Sequence, residues 1–344
     1  MKQVTLFCFI LICSAHTLLA QIGGESTFQF LNLETSARSA ALGGKVVSDF
    51  KNDPIAGLNN PAAVNVTTDN NYSANIVNFI DDVTYGSLAT AFRIKQTEKL
   101  IHVGVTYINY GTFNGFDEIG NSTGTFSAAE GALSIGYATP IPNSDFHFGA
   151  SFKFISSQFE EFSSLGIATD VGLIYFKEKS NLTIGLSVRN IGFQIKTFAG
   201  TNEQIPLEVN LGISKTLSKA PIKWYVSLQN LQKFDLAFAN ENQNITNLLS
   251  DEVEEDDPSF FNNVFRHVNL GVEFFPKSAF NLRVGYNFRR SEELKLIDER
   301  SLAGFSGGFG LRIRKLKFDY TFVRFNSAAS SSLFGIKLNL GDSK

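Results

Sequence analysis

The chain has 344 residues and two cysteines, Cys8 and Cys13, both within its first twenty positions. Nothing after them can form a disulfide or act as a thiol nucleophile. Met1 is the one methionine, and histidine is scarce, with four in all. Beyond residue 20 there is no unbroken apolar run of about 18 residues, the length that marks a helical membrane span. Charge of one sign is lacking too. Without Lys2 the basic residues number 29 against 33 acidic, a net charge of about −4. That balance argues against nucleic acid as a partner.

The beginning of the chain sets its compartment. Lys2 precedes an almost wholly apolar run over residues 4–13, and a short stretch then leads to Ala20. A positive start, a short apolar core and a small residue at the cut describe a secretory signal peptide over residues 1–20. The run is too short to cross a bilayer as a helix. The mature chain then begins at Gln21, although Leu18 stands where a small residue is usual. Cys13 invites a lipoprotein reading, but Ile12 before it is too large for that processing. The chain reads as exported.

Phenylalanine and glycine are abundant, at 34 and 28, and their placement has a period. Phe146, Phe148, Ala150, Phe152 and Phe154 share one parity, while His147, Gly149, Ser151 and Lys153 share the other. This is β-strand alternation, with one greasy face and one small or charged face. It recurs. Ile101, Val103, Val105 and Tyr107 oppose His102, Gly104 and Thr106. Leu182 to Val188 alternates about Gly185, Val209 to Ile213 about Gly212, and Leu282 to Phe288 about Gly285. Leu316 to Phe322 and Phe334 to Leu340 do the same. A soluble sandwich alternates as well, but its strands run to about five or six residues. Many here reach ten or more, the length of a tilted membrane strand. The pattern therefore predicts an all-β fold, a 14-stranded antiparallel transmembrane β-barrel.

The predicted strands cover about 71–79, 83–95, 98–110, 124–139, 145–157, 163–176, 180–191, 205–216, 221–231, 264–276, 279–290, 299–314, 315–326 and 329–340. Connections after even strands are tight, at 96–97, 140–144, 177–179, 218–220 and 277–278. Those after odd strands are often long, at 111–123, 192–204, 232–263 and 291–298. Outer-membrane barrels have short periplasmic turns and longer outer loops. This predicts an outer-membrane location in a Gram-negative envelope, with both termini periplasmic and the long loops extracellular. The longest loop holds Asp251, Glu252, Glu254, Glu255, Asp256 and Asp257. The cluster is a candidate contact for a cation or a basic partner, but it lacks the spacing and glycine of a calcium loop. A solvated loop is the simpler reading.

Residues 21–70 do not alternate. Residues 36–42 read as a short helix ended by Gly43, and Pro54 opens a second after Asp53 as its N-cap. A barrel near fourteen strands stands between those filled by side chains and those that hold water. The segment is expected to fold inward as a plug.

Arg38, the run Ala41-Leu42-Gly43-Gly44, Asp53 and Asn60-Pro61-Ala62 together resemble the N-terminal hatch of the FadL-like barrels, a fourteen-stranded superfamily. The fuller pattern adds Gly23-Gly24-Glu25, Phe28-Gln29-Phe30-Leu31, Ser36 to Ala40 and Leu58-Asn59. It resembles the PorV/PorQ family of type IX secretion system outer-membrane barrels, and PorQ-type members most. Residues 107–113, 123–128 and 228–233 extend the match along the mature chain. The resemblance marks Arg38, Gly43, Gly44, Asn59, Asn60 and Pro61 as the hatch motif. It implies a non-enzymatic role without a cofactor: anchoring a PorZ-like surface protein in a cargo attachment complex with a PorU-like peptidase and a PorV-like barrel. The alternative is a FadL-like transporter of hydrophobic small molecules. Outer-membrane lipid is a partner in either case.

His102, His147 and His267 fall on the polar parity of their strands and would face the lumen. A metal or acid/base cluster would require predicted strands 3, 5 and 10 to bring them together, and strands 3 and 10 are far apart around the ring. No serine carries a nucleophile motif, and no phosphate-binding glycine pattern is present.

Overall fold

Fourteen antiparallel strands close into a barrel in the computed structural model, in strict chain order with β1 paired to β14. The structure describes residues 26–79, 82–95, 97–236, 259–294, 302–324 and 330–340. The signal peptide and the acidic cluster at 251–257 lie outside the described residues. The strands are β1 Asn71–Asn78, β2 Thr84–Arg93, β3 Leu100–Phe116, β4 Ser122–Pro140, β5 Phe146–Phe159, β6 Phe162–Lys177 and β7 Leu182–Lys196. They continue as β8 Glu208–Thr216, β9 Ile222–Leu228, β10 Val268–Phe274, β11 Phe280–Asn287, β12 Phe305–Ile313, β13 Leu316–Val323 and β14 Ser331–Asn339. Three short α-helices are described: α1 Ala37–Ala41, α2 Phe260–Arg266 and α3 Phe288–Glu293.

The faces are those of a barrel in lipid. Ile76, Leu88, Phe152, Phe154, Val284 and Phe334 point outward and are exposed. Their strand neighbours Ser73, Ser87, Ser151, Lys153, Arg283 and Lys337 are buried. Polar inside and apolar outside inverts the arrangement of a soluble domain, and it is the dyad pattern of membrane barrels.

The wall is uneven. β3 and β4 run for 17 and 19 residues, and β9 and β10 for 7 each. At ~3.3 Å per residue β3 is about 56 Å long. Even tilted it exceeds an apolar band of roughly 25 Å, so the β3–β4 hairpin projects from the end where the long connections lie. This corrects the expected loop at 111–123. The strands continue to Phe116 and restart at Ser122, carried by the Phe113–Phe126 ring stack at 5.3 Å. Other expected bounds also shift. β7 runs on to Lys196 and β12 begins only at Phe305. α2 occupies the start of the expected tenth strand, because Ser259 caps it by accepting from the Asn262 amide at 3.3 Å. His267 therefore sits at the C-terminal end of α2, one residue before β10, and is buried in phase with Asn269. Asn287 likewise ends β11 by capping α3, accepting from the Arg290 amide at 2.8 Å. Phe265 and Phe288 stack at 5.3 Å and join the two helices.

Candidate functional site

Residues 26–70 supply the chemistry of the interior. They form α1 and four 3-10 turns, at Gln29–Asn32, Pro54–Leu58, Pro61–Ala63 and Val66–Thr68. Each of the last three turns opens on a side-chain cap. Asp53 accepts from the Ile55 amide at 3.2 Å, Asn60 from Ala62 at 3.0 Å, and Asn65 from Thr67 at 3.0 Å. Such caps satisfy amides that the lumen could not hydrate. Ser36 caps α1, and the helix ends through Leu42 into Gly43 and Gly44 at φ +97° and +146°. Gly43 is tied to the wall through its carbonyl, which accepts from Asn287 Nδ2 at 3.0 Å and from Arg290 at 2.8 Å.

The segment touches every strand. Hydrogen bonds or ion pairs reach β1 to β3, β7 to β11, β13 and β14. Close packing reaches β4, β5, β6 and β12. Three seats are made by glycines facing each other across strand pairs. Gly271 and Gly285 are register partners on β10 and β11, Gly149 and Gly172 on β5 and β6, and Gly185 and Gly212 on β7 and β8. A methyl at Gly285 would strike Gly43, at Gly149 the Pro61 carbonyl group, and at Gly185 the Val47 carbonyl. Backbone meets backbone at all three, which is the role of glycine where chains approach closely.

Between the seats lie buried charges. Arg38 is 4% exposed and is met on three sides. It donates to Glu273 Oε2 at 2.9 Å and to the Tyr225 hydroxyl at 2.7 Å, and it pairs with Asp49. Glu273 also takes Lys51 at 2.9 Å and Arg283 at 3.3 Å, and Arg283 reaches Asp319 at 2.6 Å. A second group joins Lys45 and Arg189 to Glu208, with Lys45 at 2.7 Å. Bare charges in such a place would be prohibitive, and ion pairing with hydrogen bonds offsets much of the desolvation. Glu34 is held differently. Asn59 Nδ2 donates to it at 3.4 Å and the Ser36 amide at 3.2 Å. Burial lifts its carboxyl to about 7. Apolar packing completes the contact. Phe28, Phe30 and Leu31 pack with Tyr85, Ile108, Ile155 and Leu333, and Ala62 and Ala63 with Ile174.

Arg38, Gly43, Gly44, Asn60 and Pro61 of the hatch motif thus meet the wall at separate places, while Asn59 is bonded within the segment. Arg38 makes the central ion pairs. Gly43 and Gly44 lie over β10 and β11, with Gly44 nearest Gln229, Asn269 and Asn287. Asn60 Nδ2 ties Val47 at 2.9 Å, Pro61 sits on Gly149, and Asn59 reaches Glu34. The motif did not reveal the glycine pairs or Glu273 and Tyr225, which lie far along the chain. The histidines contact different parts. His102 Nε2 is 2.9 Å from the Pro54 carbonyl, His147 packs on Phe50, and His267 lies against the Gln229 and Phe234 carbonyls. Among the described residues no group of three His, Cys, Asp or Glu is placed to hold a metal. The cavity between Leu31, Thr35, Leu58, Tyr85, Thr106, Ser134, Lys153 and Arg189 measures about 10 Å³, room for about one water.

No family model matches the chain, and no curated protein matches it. Solved structures do. The TodX monoaromatic hydrocarbon channel, in a deltaS2 mutant, is similar over 90% of this chain and 98% of its own, with TM-score 0.50 and 12% identity. The KdgM porin covers 78% of this chain and 99% of its own, with TM-score 0.32 and 8% identity. CdiB from Acinetobacter baumannii covers 78% and 59%, with TM-score 0.34 and 8% identity. At such identities the likeness is one of fold. The chain is a closed 14-stranded antiparallel β-barrel of the outer-membrane class.

Proposed function

We propose that this protein is a plugged outer-membrane barrel that anchors a partner at the cell surface, in the manner of the PorV/PorQ family. The observation that carries the reading is the set of contacts between residues 26–70 and the buried face of the wall. Residues 26–70 contact all fourteen strands, and the cavity beside them holds about one water. A barrel so filled offers its ends to partners and not its bore to solutes. The orientation proposed is termini inside and long connections outside. It directs the β3–β4 hairpin, α2, α3 and the 251–257 loop outward, toward a PorZ-like surface protein and its attachment complex. In this reading residues 21–70 are the hatch. Deleting the gene is expected to release the PorZ-like protein and attached cargo from the cell surface. Unchanged surface attachment would overturn the reading.

A second reading is transport of hydrophobic small molecules. The likeness to the hydrocarbon channel supports it better than it supports the anchor. In that reading residues 26–70, which contact all fourteen strands, rearrange to open a path. Growth on hydrophobic substrates that fails on deletion, with surface attachment intact, would favour transport.

A further inference from the structure

The outer wall carries a groove of about 410 Å³ across β14, β1, β2 and β3. Cross-strand register sets its floor. Tyr72 faces Thr90, Ala74 faces both Leu88 and Ile336, and Leu88 faces Val105. All lie on the outward parity. Ala74 and Thr90 are small among large neighbours, and their missing volume makes the wall concave. The groove does not continue into the lumen, because Leu58 of the N-terminal segment packs against Gly104 behind it.

The surroundings name an occupant. Tyr72 and Phe92 meet edge to face at 6.2 Å at the end nearer the β2–β3 turn. Aromatic residues mark the level of lipid headgroups on such barrels. Beyond them the turn carries exposed Lys95 and Lys99, with one acid, Glu98, between them. Arg93 at the strand end pairs with Asp69 at 3.5 Å. Lys95 lies five positions beyond Thr90, about 17 Å at ~3.3 Å per step. An apolar slot on the lipid face, an aromatic border and then a cationic turn match an acyl chain followed by a phosphate. A volume of about 410 Å³ is in the range of specific small-molecule sites, ~300–1,000 Å³.

We propose that this groove binds one membrane phospholipid, its acyl chain over Ala74 and Thr90 and its phosphate at Lys95 and Lys99. The inference rests on the barrel spanning a bilayer and is independent of the anchor and transport readings.

The test is native mass spectrometry of the full-length barrel purified from membranes in mild detergent. The parent is expected to retain one phospholipid per chain, and the groove-filling double variant Ala74→Phe/Thr90→Phe to retain none. Ala74→Leu, a gentler filling, is expected to lower retention. Leu211→Phe, on the far side of the ring at β8, is expected to leave it unchanged. Exchange of the parent into vesicles of equal phosphatidylglycerol and phosphatidylethanolamine should enrich the bound fraction in phosphatidylglycerol, and Lys95→Glu/Lys99→Glu should abolish that enrichment. The proposal is overturned if the parent retains no lipid, or if both filled variants retain as much as the parent. A lipid-free dimer with the groove covered by a second copy would overturn it too.

Discussion

Arg38 joins a five-residue helix to the wall, and its partners come from three places in the chain: Asp49, Tyr225 and Glu273. Removing one member of a buried, paired set costs about 3–5 kcal/mol, because the others keep their charge without water. Arg38→Leu is therefore expected to destabilise the protein by that order, read as a lower midpoint of denaturant unfolding. Arg38→Lys should recover only part, since an ammonium lacks the fork that engages Glu273 and Tyr225 together. Glu34 provides a pH test. Its folded pKa of about 7 lies above its ordinary 4.5, with burial the main cause. The stability tied to its protonated form is thus full below about pH 4.5 and is lost as pH rises through 7. Glu34→Gln is expected to match the parent at pH 4 and to unfold at a higher temperature than the parent at pH 8. Equal melting temperatures at pH 8 would contradict the assignment.

At the level of elements the strands were the most legible part of the sequence. Each of the fourteen follows from period-two alternation, because the bilayer fixes one face as apolar and the lumen fixes the other as small or polar. Strand ends were less legible. Phe288 keeps the alternation going, yet a cap at Asn287 turns its surroundings into a helix, and Ser259 caps another ahead of β10. The β3–β4 hairpin reads as loop in composition, yet cross-strand aromatic packing extends it. The site was half legible. Arg38, Gly43, Asn60 and Pro61 stood out as a motif. The glycines that seat them could not be paired, since Gly149 and Gly172, or Gly271 and Gly285, become neighbours only through register. Those seats carry a further prediction. Gly285→Val and Gly149→Val are each expected to loosen the segment while the wall stays closed. Hydrogen exchange should then show lost protection over residues 36–63 and unchanged protection in β4 to β6. Parent-like protection of residues 36–63 in both variants would show that the glycine pairs are not seats.

For the molecule as a whole, the fold supplies a rigid closed wall, and the N-terminal segment decides what that wall can do. Fourteen strands alone would leave a wide bore, between barrels packed with side chains and water-filled porins. In the reading proposed above the bore is occupied by residues 26–70, which meet the wall through glycine seats, buried ion pairs and apolar clusters. Both functional readings depend on that occupancy, as a permanent block for an anchor or a movable one for a transporter. Orientation is directly accessible, because no native cysteine follows residue 13. A single cysteine at Ile119, at the tip of the β3–β4 hairpin, is expected to react with an impermeant thiol reagent on intact cells. One at Lys179, in a tight turn, is expected to react only after the outer membrane is opened. The central claim is that the segment closes the barrel, and the measurement nearest to it is ionic conductance in planar bilayers. The parent is expected to pass no steady current, and a folded chain lacking residues 21–70 to open stable, porin-like conductances. A folded truncated barrel that conducts no more than the parent, or a parent that conducts like an open porin, would contradict it.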